Sequence, residues 1–471
     1  MKYLILLFLY SFPSHAIFQK VYQGYLDSDH LKQLTIEKSI YEADYDIGLN
    51  KHEWQLSLSA NNSDSFLTSL YAFQSQQTIV KSLALGLSKS SYRFGSLSFE
   101  HSQAEYDISN WTQTNLNSFE DDHVYEGRNK ITYAYEFLND MERLNWDLLQ
   151  IQNDLNKVSH EKNLQSLHYD FFTTYLSAKA RILLDRLYNE AELEAKKRVS
   201  MVGRRVRDGL SRRFELKQAE LSLLTQEETT IKNMGLLRES IRAIENIIGV
   251  EIDPVNYKLV TWSEKSVDNY KYLFYDIKFL DLEQLAKANE LNELTISQFE
   301  ETINHTLNLS LSYTSNAYNI DQGKAISDSH FGNVNDEAVV ALTYSLPLGR
   351  GRLNSQRAKL LRQKTQNDLK SKNLSSELKT KSEILQENIK RYSSALNIVK
   401  KKLAAAEISL KDHKKLYPRG QVSFEELLNA EQALINAKIS RTNMLLLYEQ
   451  SVAQLAFLTG NMVKLLSQYQ D

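Results

Sequence analysis

The chain has 471 residues, 56 Lys and Arg against 59 Asp and Glu, a formal net charge of −3, and no cysteine. That balance recruits no nucleic acid, and the missing thiols exclude disulfides, thiolate metal sites and a lipid on an N-terminal cysteine. Four prolines and 15 glycines in this length favour long uninterrupted helices.

The chain opens with the signature of a secretory leader. Lys2 is a short basic start, Tyr3 to Phe12 is an apolar run, and Ser14-His15-Ala16 is a small-x-small cleavage site. Residues 1–16 are therefore expected to be a signal peptide, too short to span a bilayer. No later segment approaches the ~20 apolar residues of a spanning helix. If the mature chain enters a membrane, it must do so as a β-barrel.

Strand-like segments follow. Trp54, Leu56, Leu58 and Ala60 alternate with Gln55, Ser57 and Ser59, a period-2 pattern with one apolar face. Leu83, Leu85 and Leu87 repeat it, Phe94, Leu97 and Phe99 do so less cleanly, and Ile131, Tyr133 and Tyr135 continue it. Small polar residues fill the other face, as in a sandwich strand or a strand facing a watery lumen. The polar, acidic stretch from Gln103 to Glu126 is expected to be an exposed loop.

From about Met141 to Val206 there is no proline, and Phe171, Tyr175, Ala178 and Ile182 keep a helical rhythm. At ~1.5 Å per residue such a helix reaches on the order of 100 Å. Asp208-Gly209-Leu210-Ser211 then reverses the chain into a second helix that closes on Gly249. Residues 250–285, with Pro254 and the aromatic run Tyr270-Lys-Tyr-Leu-Phe-Tyr, read as a connector.

The second half repeats the first. Leu307, Leu309, Leu311 and Tyr313 alternate, then Val339, Ala341 and Tyr344 before Pro347. A helix is expected from about Leu353 to Tyr417. Its seam Leu385, Ile389, Tyr392, Leu396, Val399, Leu403, Ala406 and Leu410 steps by 4 and 3, the heptad spacing. Arg419-Gly420-Gln421-Val422 opens the last helix, which closes on Gly460. Gly209 to Gly420, Gly249 to Gly460 and Thr132-Tyr133 to Thr343-Tyr344 all lie 211 positions apart. A register held over that distance marks a duplication, with halves at 17–249 and 286–471.

The halves are unequal. Leu56-Ser-Leu-Ser59 resembles Leu309-Ser-Leu-Ser312 at an offset of 253, which is 42 more than 211. The runs Ser82–Ser88 and Arg93–His101, joined by Lys89–Tyr92, fit that excess as an added β-hairpin.

The order helix, strands, very long helix, glycine turn, helix, then the same again, resembles the TolC-like outer-membrane efflux family. The resemblance rests on Arg207-Asp-Gly-Leu-Ser-Arg-Arg-Phe-Glu-Leu-Lys-Gln-Ala-Glu220 and Tyr417-Pro-Arg-Gly-Gln-Val-Ser-Phe-Glu-Glu-Leu-Leu-Asn-Ala-Glu431. It also rests on Tyr344-Ser-Leu-Pro-Leu-Gly-Arg-Gly351 and Ala453-Gln-Leu-Ala-Phe-Leu-Thr-Gly460.

The resemblance implies an α+β fold in the cell outer membrane with a periplasmic extension. Three chains would close one β-barrel, and their long helices would form a coiled-coil tunnel. About four to six strands cannot close a roomy barrel alone, since even side-chain-filled barrels have about eight. The implied function is a passive exit duct for efflux or type I secretion. Its partners would be a periplasmic adaptor (membrane fusion) protein, an inner-membrane transporter and outer-membrane lipid. The competing reading is a periplasmic coiled-coil adaptor or scaffold.

The resemblance also places the adaptor-docking tip at the two reversals: Gly209, Leu210, Ser211 and Arg212, and Gly420, Gln421, Val422 and Ser423. It puts a gate just beyond them. Glu426 would begin an acidic ring, and three copies around an axis would repel and raise one another's pKa. Asn429 replaces the second acid, and Glu215 and Gln218 are the first-repeat counterparts. Tyr417 matches a family tyrosine. Val422 stands where members that pin the closed state carry arginine, so the pin is absent or moved to Arg419.

No catalytic constellation, metal spacing among the 10 histidines, cofactor motif or phosphate loop is found. The basic cluster Arg204-Arg205-Val-Arg207 and Arg212-Arg213 reads as a solvated helix end or an acidic partner surface.

Overall fold

The structure is a computed structural model describing residues 15–66, 77–91, 93–109, 123–138, 140–252, 262, 267–275, 277–332, 335–346 and 351–469. The expected leader lies outside these except for its last two residues, and Pro347 to Arg350 lie outside as well. The elements run α1 (His15–Leu26), α2 (Asp29–Asn50), β1 (Gln55–Phe66), β2 (Gln77–Ser91), β3 (Gly95–Ser109), β4 (His123–Glu136), α3 (Met141–Arg207) and α4 (Arg213–Ile248). Two single turns, Val267–Tyr270 and Tyr272–Tyr275, lie in the connector. Then come α5 (Leu280–Ile303), β5 (Thr306–Asn319), α6 (Gln322–Asp328), β6 (Asp336–Ser345), α7 (Gly351–Leu416), α8 (Phe424–Leu458) and α9 (Met462–Gln468).

The two long helices start and stop within two or three residues of the expected bounds. The helix opening the second half begins at Leu280, earlier than the expected boundary at 286. The chain divides into two compact units, and each draws on both halves of the sequence.

One unit comprises 40–155 and 287–368. Its centre is one antiparallel sheet in the order β1-β2-β3-β4-β5-β6. The pairing puts Leu56, Leu87, Phe99, Ile131 and Tyr313 in a single cross-strand row. Because side chains alternate, that row and its neighbours make one face apolar. The opposite face carries Ser57, Ser82, Ser98, Thr132, Ser310 and Thr343. Much of the apolar face is bare, with Leu58 72% exposed, Val340 73% and Leu342 64%, while α6 and Phe331 cover the same face at Gly127, Asn129, Tyr313 and Ser315.

Two expectations are corrected here. Gln103 to Ser109 and His123 to Glu126 belong to strands β3 and β4, not to a loop; between them only 110–122, outside the described residues, are left for one. Polar side chains there did not signal a loop, because strand ends above an apolar band are polar too. In β6 the apolar face takes Val340, Leu342 and Tyr344, while Val339 and Ala341 point to the other side. Val339 to Leu342 are all apolar, so alternation alone could not set their parity.

Helix α6 lies across β4 and β5. Asp321 caps it by accepting from the Gly323 and Lys324 amides at 2.8 and 3.2 Å. The segment is fastened by Asn129 Nδ2 donating to the Ser329 carbonyl (2.7 Å) and Ser315 Oγ to that of His330 (3.0 Å). Gly127 makes room for it, since a Cβ there would collide with the Ala325 carbonyl. Phe331 stacks on Tyr313 with ring centroids 5.4 Å apart.

The other unit comprises residues up to Ser39, 156–286 and 369–471. Its main core gathers Phe18 and Tyr25 of α1, Phe171, Phe172 and Tyr175 of α3, Tyr448 and Val452 of α8, and Met462 and Leu465 of α9. The α7 seam enters it through Leu385, Ile389 and Leu396. Burying each such side chain contributes about 1.5–3 kcal/mol.

His168 is enclosed in this core, its Nδ1 2.9 Å from the Tyr25 hydroxyl, and burial pushes its pKa down to about 4. The unfolded imidazole takes a proton near 6.5. Stability is therefore full above pH 6.5 and falls as pH drops from there to about 4, by on the order of 3 kcal/mol. Urea unfolding at pH 7 and pH 4.5 should show this fall, and His168→Gln should flatten it.

Candidate functional site

A smaller core closes the far end of the helical unit. It joins Val202 of α3, Ala219 of α4, Leu410 of α7, Tyr417, and Phe424, Leu427 and Ala430 of α8. Beyond it the chain reverses twice. Gly209 has φ +72° and Gly420 φ +69°, both in the left-handed region that glycine enters at least cost. The Leu210 amide donates back to the Arg205 carbonyl (2.8 Å), and the Gln421 amide to that of Leu416 (3.2 Å).

The two turns are bonded to each other. Arg205 stacks its guanidinium on the Tyr417 ring, 4.8 Å from the centroid. It donates from Nε to Ser211 Oγ (3.1 Å), from Nη1 to the Pro418 carbonyl (3.1 Å) and from Nη2 to that of Leu210 (3.4 Å). The Tyr417 hydroxyl meets Glu215 Oε2 at 3.5 Å, and burial is the first cause raising its pKa. The sequence reading of Arg205 is a solvated helix end or an acidic partner surface. The cluster was legible, but its target 213 residues away was not. Arg419, the expected alternative pin, is exposed.

Val422 is half-buried in the tip core, so a side chain that packs stands where a pin would project. Ser423 and Glu426 form a capping box at the start of α8. The Ser423 amide donates to Glu426 Oε2 at 2.7 Å, and the Glu426 amide to Ser423 Oγ at 3.2 Å. These bonds lower the Glu426 pKa within the chain, opposite to the rise expected from a ring of three. Asn429, Leu210, Arg212 and Gln421 are exposed, and Gln218 is half-buried.

Above the tip a cavity of about 430 Å³ lies among α3, α4, α7 and α8, lined in part by Gln218 and Arg198. The buried Arg198 guanidinium pairs with Glu431 of α8 and donates to Ser222 Oγ of α4 at 3.0 Å. Glu194 meets Lys414 of α7 at 2.6 Å, and that lysine with Lys197 holds its pKa at about 2. One face of α4 stays bare: Phe214, Leu221, Leu224 and Ile231 are each more than 60% exposed, at spacings of 7, 3 and 7. Among the described residues no helix is apolar enough to cross a membrane, and no group of three or more His, Asp and Glu side chains is placed to hold a metal.

The sequence matches no protein-family profile and no curated protein. Solved structures do match. The outer membrane protein VceC of Vibrio cholerae superposes with a TM-score of 0.67 at 13% identity, over 96% of this chain and 100% of that one. The CmeC outer membrane channel of Campylobacter jejuni gives 0.66 at 13% identity, over 96% and 90%. The MtrE outer membrane channel of Neisseria gonorrhoeae, in its open state, gives 0.66 at 14%, over 95% and 89%. The fold is that of the TolC-like outer membrane channels. In a chain with this TolC-like fold, the glycine turns and the bare sheet are the two surfaces that call for a functional account.

A Cβ at either turn glycine would touch nothing within 4 Å, so substitution there strains only the backbone. Gly209→Val and Gly420→Val should each destabilise the tip by about 1–3 kcal/mol, read by chemical denaturation, with the main core intact. Arg205→Ala should speed amide exchange at Leu210 and Gln421 by roughly tenfold, since about 1–2 kcal/mol of ring and charge-assisted contact is lost. Arg205→Lys should not restore protection, because an ammonium lacks the planar fork.

Proposed function

We propose that the chain is one protomer of a trimeric outer-membrane channel-tunnel with a periplasmic extension. It would be the passive exit duct of a tripartite efflux pump or type I secretion system, driven by an inner-membrane transporter. The observation that carries this reading is the sheet, with one apolar face largely bare, one hydroxyl-rich face, and edges on β1 and β6 that no described strand pairs. In lipid an unpaired edge leaves costly amides and carbonyls, so the sheet must close. Six strands closed on themselves would leave no lumen, and copies joined edge to edge supply one.

The bare stripe on α4 fits the same assembly, as a seam awaiting a helix of the next copy. The tip residues Gly209, Leu210, Ser211, Arg212, Gly420, Gln421, Val422 and Ser423 then face the adaptor. Tyr417, Glu215, Gln218, Arg419, Glu426 and Asn429 line or brace the gate. A coiled-coil adaptor has no use for a sheet with a bare apolar face.

The purified protein should run as a trimer, fractionate with outer membranes and conduct ions across a planar bilayer. Absence of channel activity at every pH and voltage would overturn the duct.

A further inference from the structure

Strands β2 and β3 are the added hairpin, and their register says how they were added. In the second half Leu309 of β5 pairs directly with Leu342 of β6. The offsets of 253 and 211 carry these two residues back to Leu56 of β1 and Ile131 of β4. In the first half that pair is separated, yet both still lie in one row: Leu56 pairs with Leu87, Leu87 with Phe99, and Phe99 with Ile131. Two strands stand between neighbours without shifting their register or exchanging their faces.

An added pair, unlike a single strand, also leaves β1 and β4 antiparallel in sense. Each added strand has 15 residues, more than the ~9–11 that a tilted strand needs to cross a bilayer. Leu83, Leu85 and Leu87 continue the apolar face, and Ser82, Ser98 and Ser102 the hydroxyl face. The hairpin is thus built as barrel wall rather than as an external flap.

We propose that this insertion widens the outer-membrane exit, giving an eighteen-stranded barrel where the unexpanded repeat would give twelve. The proposal rests on the trimeric reading above. At ~4.8 Å between strands and a tilt of ~40°, eighteen strands enclose a backbone diameter of about 36 Å, against about 24 Å for twelve. The cross-section roughly doubles. Its lining is mostly hydroxyl, amide and small side chains with charge of both signs: Glu100 lies opposite Lys130, and Glu126, Arg128 and Glu136 are on the same face of β4. The widened exit therefore suits bulky hydrated cargo of either charge, and leaves selection by size to the helical portion.

The absence of cysteine makes site-directed spin labelling clean. On the full chain in liposomes, a nitroxide at Leu85→Cys should be relaxed by lipid-dissolved oxygen, and one at Ser98→Cys by an aqueous nickel chelate. Both sites responding to the aqueous reagent would overturn a hairpin in the wall. A label at Leu309→Cys should report one distance between copies, and deleting residues 77–109 should shorten it by roughly 10 Å. A trimer whose distance does not change keeps the duct and overturns the widening. A protein with no distance between copies removes the trimer itself, and the strand count with it.

Discussion

A backbone amide or carbonyl left bare in hydrocarbon costs several kcal/mol, and in the proposed channel that constraint falls on the outer edges of β1 and β6. Everything else in the sheet follows from needing to satisfy them. Among the described residues, strands β2 to β5 have partners on both sides and β1 and β6 on one. The pleat sorts leucine and tyrosine to one face and serine and threonine to the other. Such a sheet is stable neither alone in water nor alone in lipid. The same incompleteness recurs in the helical unit, where α4 keeps an apolar stripe uncovered while its other face packs. In the proposed assembly both features become seams between copies.

The helical unit solves a different problem, which is to hold long helices together beside two chain reversals. Its main core is aromatic and tightly packed. Towards the turns a smaller apolar core is supplemented by charge and hydrogen bonds: Glu194 with Lys414, Arg198 with Glu431, Arg205 with Tyr417 and Pro418. Buried ion pairs add little net stability over apolar packing, because desolvation offsets most of the attraction. They do fix which helix lies against which. The end is thus specified in register without being heavily stabilised.

Much of this was legible in the residues. The seam from Leu385 to Leu410 and the bounds of both long helices follow from spacing and from the lack of proline. The added hairpin follows from two offsets that disagree by a fixed amount. The apolar parity of β6 was not legible, since four consecutive apolar residues carry no alternation. The tie from Arg205 was also hidden, because a helix-end arginine announces no target. The role of Glu426 was half-visible. Serine three residues before glutamate is a capping signature, and reading that carboxylate only as part of a ring overlooked its nearer partner.

Arg205 has one further consequence. A single guanidinium touches Ser211 in one turn and Pro418 and Tyr417 in the other, so the two turns do not vary independently. A change in either turn is tested against the shape of its twin. Within this tie the two turns divide the labour: one supplies the hand and the other the grip.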